Sequence, residues 1–170
     1  GTVRLWGSGL DAISPGLNVD EGGYHLPAST RFVVAACRGR HTRRILAENG
    51  VESPEVFGDP GWFANRIWPA HARQEEIHGI GVVLQRTEGA ERRPGAALKP
   101  QLRRYEVPED LAGRIAFINP ITRRSVDGVG EVVGAIGRCR RILSTSLHGL
   151  VVAEALGIPA FYFGATTPLG

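Results

Sequence analysis

The sequence predicts an α/β protein built as two Rossmann-like halves with mainly parallel sheets. Three observations carry this expectation. Apolar runs of four to seven residues recur along the chain, segments of helical composition separate them, and the series restarts after a linker. Alternation of this kind marks βαβ units on a parallel sheet covered by helices.

Val3 to Trp6 reads as a short strand, and Gly7-Ser8-Gly9 after it permits a tight turn and close backbone approach. Residues 10–30, rich in Gly, Pro, Asn and Ser, read as a loop. Arg31 to Cys37 (RFVVAAC) is nearly continuous in apolar residues, as expected of a strand buried on both faces. Thr42 to Asn49 has helical composition, with Asn49-Gly50 as its stop. Pro54 to Phe57 reads as a brief strand ended by Gly58-Asp59-Pro60.

Trp62 to Arg73 reads as the link between the halves, with His71 and His78 as linker or surface residues. Gly79 to Leu84 opens the second series as another apolar strand. Residues 86–100 read as an exposed, mobile loop. Ile115 to Ile118 is a strand, and Gly130 to Cys139 a helix despite three glycines. Arg141 to Ser144 is a strand, Leu147 to Leu156 a helix and Ala160 to Phe163 a strand. The halves are placed at residues 1–70 and 71–170, facing a cleft.

Composition limits the function classes. With 42% hydrophobic and 22% charged residues, the chain suits a folded globular protein rather than a disordered one. No apolar run approaches the ~20 residues of a membrane span, and no secretory signal is visible. The chain starts at Gly1 and contains no Met, so it is expected to be truncated at both ends. Cys37 and Cys139 each end an apolar run and read as buried free thiols, compatible with a reducing cytoplasm. The net charge is +3, and every basic residue except Lys99 is arginine. Arginine suits bidentate capture of carboxylate and phosphate. The arginines are scattered in pairs, which argues against nucleic acid as a partner and suits an anionic small substrate or acidic lipid headgroups. His25, His41, His71 and His78 have no spacing that makes a metal site.

The strongest local signal runs from Ile142 to Pro159: a buried strand, the hydroxyl-rich turn Ser144-Thr145-Ser146, a helix opening with Leu147-His148-Gly149, then Gly157-Ile158-Pro159. One of the three hydroxyls can cap the helix, whose first amides face the carboxyl end of the sheet. Such crevices bind ligands in open α/β sheets, and helix starts favour anions. On the residues alone, His148 reads equally as a functional group or as a hydrogen-bonded member of a helix start.

This stretch resembles the Leu-His-Gly motif of the polysaccharide pyruvyl transferases, followed there too by a helix of small residues and Gly-Ile-Pro. Three further segments match in order: Val3 to Gly9, a strand before Gly-Ser-Gly; Arg38-Gly39-Arg40-His41-Thr42, similar to an Arg-Gly-Pro-x-Thr turn; and Gly58-Asp59-Pro60. The resemblance implies a fold like that of two-domain (GT-B-like) glycosyltransferases. It implies transfer of the pyruvyl group of phosphoenolpyruvate onto a sugar of a bacterial exopolysaccharide or cell-surface glycan precursor, as a ketal, releasing phosphate. It calls for no cofactor beyond this donor. The acceptor can be lipid-linked, which would bring a cytoplasmic enzyme to the inner face of the membrane as a peripheral protein.

By position, the resemblance makes His148 the catalytic acid or base and Arg38 the holder of the donor's anionic groups. Gly7, Ser8, Gly9, Arg40, Thr42, Ser144, Thr145, Ser146, Leu147 and Gly149 become substrate-binding candidates. Asp59 reads either as a further functional residue or as a turn that fixes loop geometry. Three positions depart from the pattern: Ser146 stands where some members have Arg, Arg40 where Pro is usual, and Gln85 where many have His. Two other readings remain open. A nucleotide-sugar glycosyltransferase would need a nucleotide-reading carboxylate, and only Glu154 is near the motif; the third reading is a non-catalytic anion- or glycan-binding domain.

Overall fold

In the computed structural model, residues 1–9, 19–20, 23–24, 29–72, 74–91, 93–99, 106–162 and 164 are described. Most of the loop expected at 10–30, with His25, lies outside these residues, as does Phe163. The chain is α/β with parallel sheets and divides into two compact units, Gly1–Pro60 and Gly61–Gly170.

The first unit holds β1 (Thr2–Ser8), a short antiparallel ladder of β2 (Val19–Asp20) with β3 (Gly23–Tyr24), β4 (Arg31–Cys37) and helix α1 (Arg40–Glu48). β1 pairs in parallel with β4 from Thr2↔Arg31 to Ser8↔Cys37, with register shifts around Trp6. The strand expected at Pro54–Phe57 reduces to a single parallel bridge, Cys37↔Phe57. Pro54 has no N–H to give a ladder, and pairing is confined to Cys37 N–H on the Val56 carbonyl and Gly58 N–H on the Cys37 carbonyl. Helix α1 starts at Arg40, ahead of the expected Thr42, and buries Thr42, Ile45 and Leu46 at helical spacing on one face. It stops as the Asn49-Gly50 pair predicts. Gly50 takes φ +72°, its N–H bonds the Ala47 carbonyl and Val51 N–H bonds that of Leu46, which is the Schellman arrangement.

A 3-10 turn (Pro60–Phe63) that starts at the last residue of the first unit leads into α2 (Ala64–Ile67) and α3 (Pro69–Ala72) of the second. Then follow β5 (Ile80–Val83), α4 (Glu109–Ala112), β6 (Ile115–Ile118), α5 (Val126–Gly137), β7 (Ile142–Ser144), α6 (Leu147–Ala155) and β8 (Ala160–Tyr162). The four strands form one all-parallel sheet in the order β6-β5-β7-β8. The chain steps from β5 to β6 in one direction, crosses back over β5 to β7, and continues to β8. Right-handed crossovers place α5 and α6 on the same face, and the two helices touch there. Their apolar sides meet the sheet in a core of Val83, Ile118, Ile136, Cys139, Ile142 and Ala153. Burial pushes the Cys139 thiol pKa upward, as expected of an inert core cysteine.

Three further expectations need correction. Trp62 to Arg73 is more than a link: α2 touches α6, and α3 touches α5. The glycines of α5 make this possible. A Cβ on Gly130 would lie 2.8 Å from the Trp68 ring, one on Gly134 would lie 2.9 Å from His71 Nδ1, and one on Gly137 would collide with the His71 carbonyl oxygen. His71 is therefore a packed residue. Helix α5 also starts earlier than Gly130, where Ser125 caps it by accepting from Gly128 N–H at 3.0 Å. Finally, the 86–100 segment is not wholly exposed, because Glu88, Gly89 and Ala96 are buried and Gly89 bridges Leu98.

Candidate functional site

The reversal of strand order falls between β5 and β7, whose carboxyl ends form the kind of crevice that binds ligands in such sheets. The turn that ends β7 is held almost wholly by its own buried hydroxyls. Ser144 Oγ donates to the Ser146 carbonyl at 2.8 Å, lies 3.3 Å from the Val83 carbonyl and accepts from Ser146 N–H at 3.1 Å. Thr145 N–H bonds the Val83 carbonyl at 3.1 Å. Ser144 and Thr145 are 0% and 2% exposed, so their side chains are framework rather than open surface.

Helix α6 starts directly from this turn. Ser146 is its N-cap residue in extended conformation, but its side chain makes no cap bond to the first turn. The first-turn amides of Leu147, His148 and Gly149 belong to the helix's positive end. Leu147 and His148 are exposed, while Gly149 is buried. A Cβ on Gly149 would stand 2.7 Å from Val83 Cγ1 and collide with Ser144 Oγ. Glycine here lets the helix start sit against the end of β5. The far end of α6 closes with a second Schellman arrangement at Gly157, φ +71°.

One neighbour of the turn carries no signal in the sequence. Glu88, 3% exposed, accepts the Thr145 hydroxyl on Oε2. The N–H of Gln85 reaches both Glu88 Oε2 at 2.7 Å and Thr145 Oγ1 at 2.8 Å. Local pattern could not reveal this carboxylate, which lies in a charged stretch 57 residues before its partner.

In the first unit the other matched segments converge at the carboxyl ends of β1 and β4. Arg38 N–H bonds the Ser8 carbonyl at 3.1 Å, and its guanidinium packs over Gly9, where a Cβ would lie 3.1 Å from Nη1. Arg38 Nε stands 3.0 Å from Asp59 Oδ2, an ion pair in which Asp59 is buried and Arg38 about one-third exposed at 36%. Gly7 adopts φ +68°, and a Cβ there would stand 2.6 Å from the Gly58 carbonyl and 2.5 Å from Pro60. Gly7-Ser8-Gly9, Arg38 and Gly58-Asp59-Pro60 therefore form one packed cluster. Arg40 points elsewhere, into an open groove along α1 lined also by Arg43, Arg44 and Phe57. Thr42, 6% exposed, faces the interior. Among the described residues no cluster of His, Cys, Asp and Glu could hold a metal ion, and no helix is long and apolar enough to cross a membrane.

Fold and site define a class: α/β proteins whose parallel sheet presents a histidine-bearing helix start at its topological switch point. The chain matches the polysaccharide pyruvyl transferase family over residues 6–166, nearly its whole length, and belongs to that family. The family name is that of transferases acting in polysaccharide pyruvylation. No curated protein and no solved structure matches the chain.

Proposed function

We propose that this protein moves the pyruvyl group of phosphoenolpyruvate onto two hydroxyls of a sugar in an exopolysaccharide or cell-surface glycan precursor. The methylene carbon of the donor gains a proton and becomes the methyl group. Both sugar oxygens bond to the former enol carbon, and phosphate departs with the remaining proton. Phosphoenolpyruvate is the only small molecule this chemistry needs besides the acceptor. A lipid-linked acceptor, peripheral contact with the inner face of the membrane and a GT-B-like plan belong to the same reading.

The observation that carries it is the exposed His148 on an α6 start that Ser146 leaves uncapped, at the sheet's switch point. In this reading His148 moves the proton, since the reaction needs an acid at the methylene carbon and a base at the attacking hydroxyl. First-turn amides of Leu147, His148 and Gly149 offer an anion their N–H groups. Arg38, oriented by Asp59 and the Gly7-Ser8-Gly9 backbone, binds the donor's carboxylate or phosphate. The buried Ser144, Thr145 and Ser146 hold the turn, with Leu147 exposed beside His148.

The test is phosphate release from phosphoenolpyruvate in the presence of glycan acceptors, with His148→Ala and Arg38→Ala. The histidine variant is expected to lose ~10²–10⁴-fold in kcat. The arginine variant is expected to raise KM for the donor as well. Thermal shifts with phosphoenolpyruvate, UDP-sugars and free glycans separate this reading from the others, because only a bound ligand raises Tm. Folded variants with wild-type rates and donor affinity would reject both assignments.

A further inference from the structure

We propose that Glu88 is the positioning residue of the His148 turn, acting through Thr145; its catalytic consequence rests on the pyruvyl-transfer reading above. Glu88 is a buried carboxylate that the proposed chemistry does not use. Its Oε2 takes the Thr145 hydroxyl and the N–H of Gln85, and Gln85 N–H also points to Thr145 Oγ1. Three groups from the carboxyl ends of the two central strands thus close on one another. The backbone that carries it is also held: Glu88 N–H bonds the Gln85 carbonyl, and the Glu88 carbonyl accepts from Lys99 N–H.

Thr145 is the middle residue of the turn that launches α6, and its backbone N–H is already bonded to Val83. Its side chain ties the middle of the turn to the loop after β5, beside the Ser144 Oγ bond that holds Ser146 N–H, and so helps set the angle at which the helix starts. His148 sits on the first turn of that helix and moves with it. Removing the carboxylate leaves Gln85 N–H with Thr145 Oγ1 and the buried Thr145 hydroxyl with the Val83 carbonyl, a long 3.5 Å away. A buried hydroxyl so weakly bonded seeks a closer partner, and the turn shifts to provide it. A catalytic group displaced by about 1 Å can lose on the order of 10²-fold in rate.

The experiment uses the full chain with Glu88→Ala, Glu88→Gln, Thr145→Val and Thr145→Ser. Glutamine keeps a carbonyl acceptor and serine keeps the hydroxyl, so these two are the rescuing variants. The first measurement is ligand-free NMR of the His148 ring. It is one of five histidines, and its resonance is identified by its loss in His148→Gln. Glu88→Ala and Thr145→Val are expected to move that resonance, while Glu88→Gln and Thr145→Ser leave it near its wild-type position. The second measurement is phosphate release from phosphoenolpyruvate. Here kcat is expected to fall on the order of 10²-fold in the disruptive pair, with KM for the donor changed less than about threefold, and to recover in the conservative pair. An unmoved His148 resonance and unchanged kcat in the disruptive variants, with only Tm lowered, would overturn the proposal. Should Glu88→Ala fail to fold, Thr145→Val carries the same test. If wild-type protein releases no phosphate, the pyruvyl-transfer reading fails, while the NMR arm still decides whether Glu88 positions His148.

Discussion

Single residues in this chain do work that their immediate neighbours in sequence do not reveal. Leu147-His148-Gly149 was legible as a helix start, and the three hydroxyls before it as a capping turn. The structure uses those hydroxyls differently: Ser144 binds Ser146 within the turn, and the Ser146 side chain makes no cap bond to α6. Gly149 has a reason that could not be read, because the obstacle to a larger residue is Val83, on the strand that crosses beside it. Gly149→Ala would drive a methyl against Val83 and Ser144, both buried in the sheet end. Overpacking of this kind typically costs ~1–3 kcal/mol. The expected outcome is a lower Tm together with a loss of kcat, since relief must come from moving the helix start that carries His148. A Gly149→Ala protein with wild-type Tm and rate would show that the turn tolerates the displacement. Asp59 resolves in a similar way: the Gly-Asp-Pro turn does fix geometry, and the geometry it fixes includes Arg38.

Elements were read well where their own pattern decided them and poorly where a distant partner did. β4 and β6 have the bounds that their apolar runs predict, Arg31–Cys37 and Ile115–Ile118. The sequence predicts α5 from Gly130 despite its glycines, four residues after its start at Val126. Gly128, Gly130, Gly134 and Gly137 all count against a helix when propensity alone is weighed. Their cost is offset by close docking of Trp68 and His71, which no local signal announces. The 86–100 stretch departs from its expected exposure for the same reason, since burial within it depends on Thr145 and on Asn119, whose side chain bonds the Ala96 carbonyl. The docking makes a direct prediction. Gly137→Ala should destabilise the second unit by ~1–3 kcal/mol, although alanine is the better helix former by ~1 kcal/mol. Thermal unfolding of this variant beside Val129→Ala, at an exposed position of the same helix, measures it. A Gly137→Ala protein more stable than wild type would mean that α3 does not pack against α5 in solution.

For the whole molecule, the sequence shows that strands and helices alternate but not in what order the strands lie. The order β6-β5-β7-β8 depends on which edges meet after collapse, and it alone turns the end of β7 into a crevice site. The division of the chain was legible only as a restart of the pattern at Gly79, because a break in periodicity marks where strands begin and not where packing begins. Helices α2 and α3 carry no strand signal, yet they lie with the second unit against α6 and α5. This leads to a test of what the second unit needs in order to fold. A chain beginning at Gly61 keeps both helices, whereas one beginning at Gln74 exposes the glycine face of α5 and the surface under Trp68. For a domain of this size each kcal/mol shifts Tm by about 4–8 °C, and stripping a packed tryptophan costs ~3–5 kcal/mol. The longer chain is therefore expected to unfold cooperatively, and the shorter one to melt at least about 12 °C lower. Circular dichroism melts and amide hydrogen exchange along α5 report the difference. Equal melts and equal protection of the α5 amides in the two chains would show that α2 and α3 are dispensable, and would return the start of the second unit to the strand at Ile80.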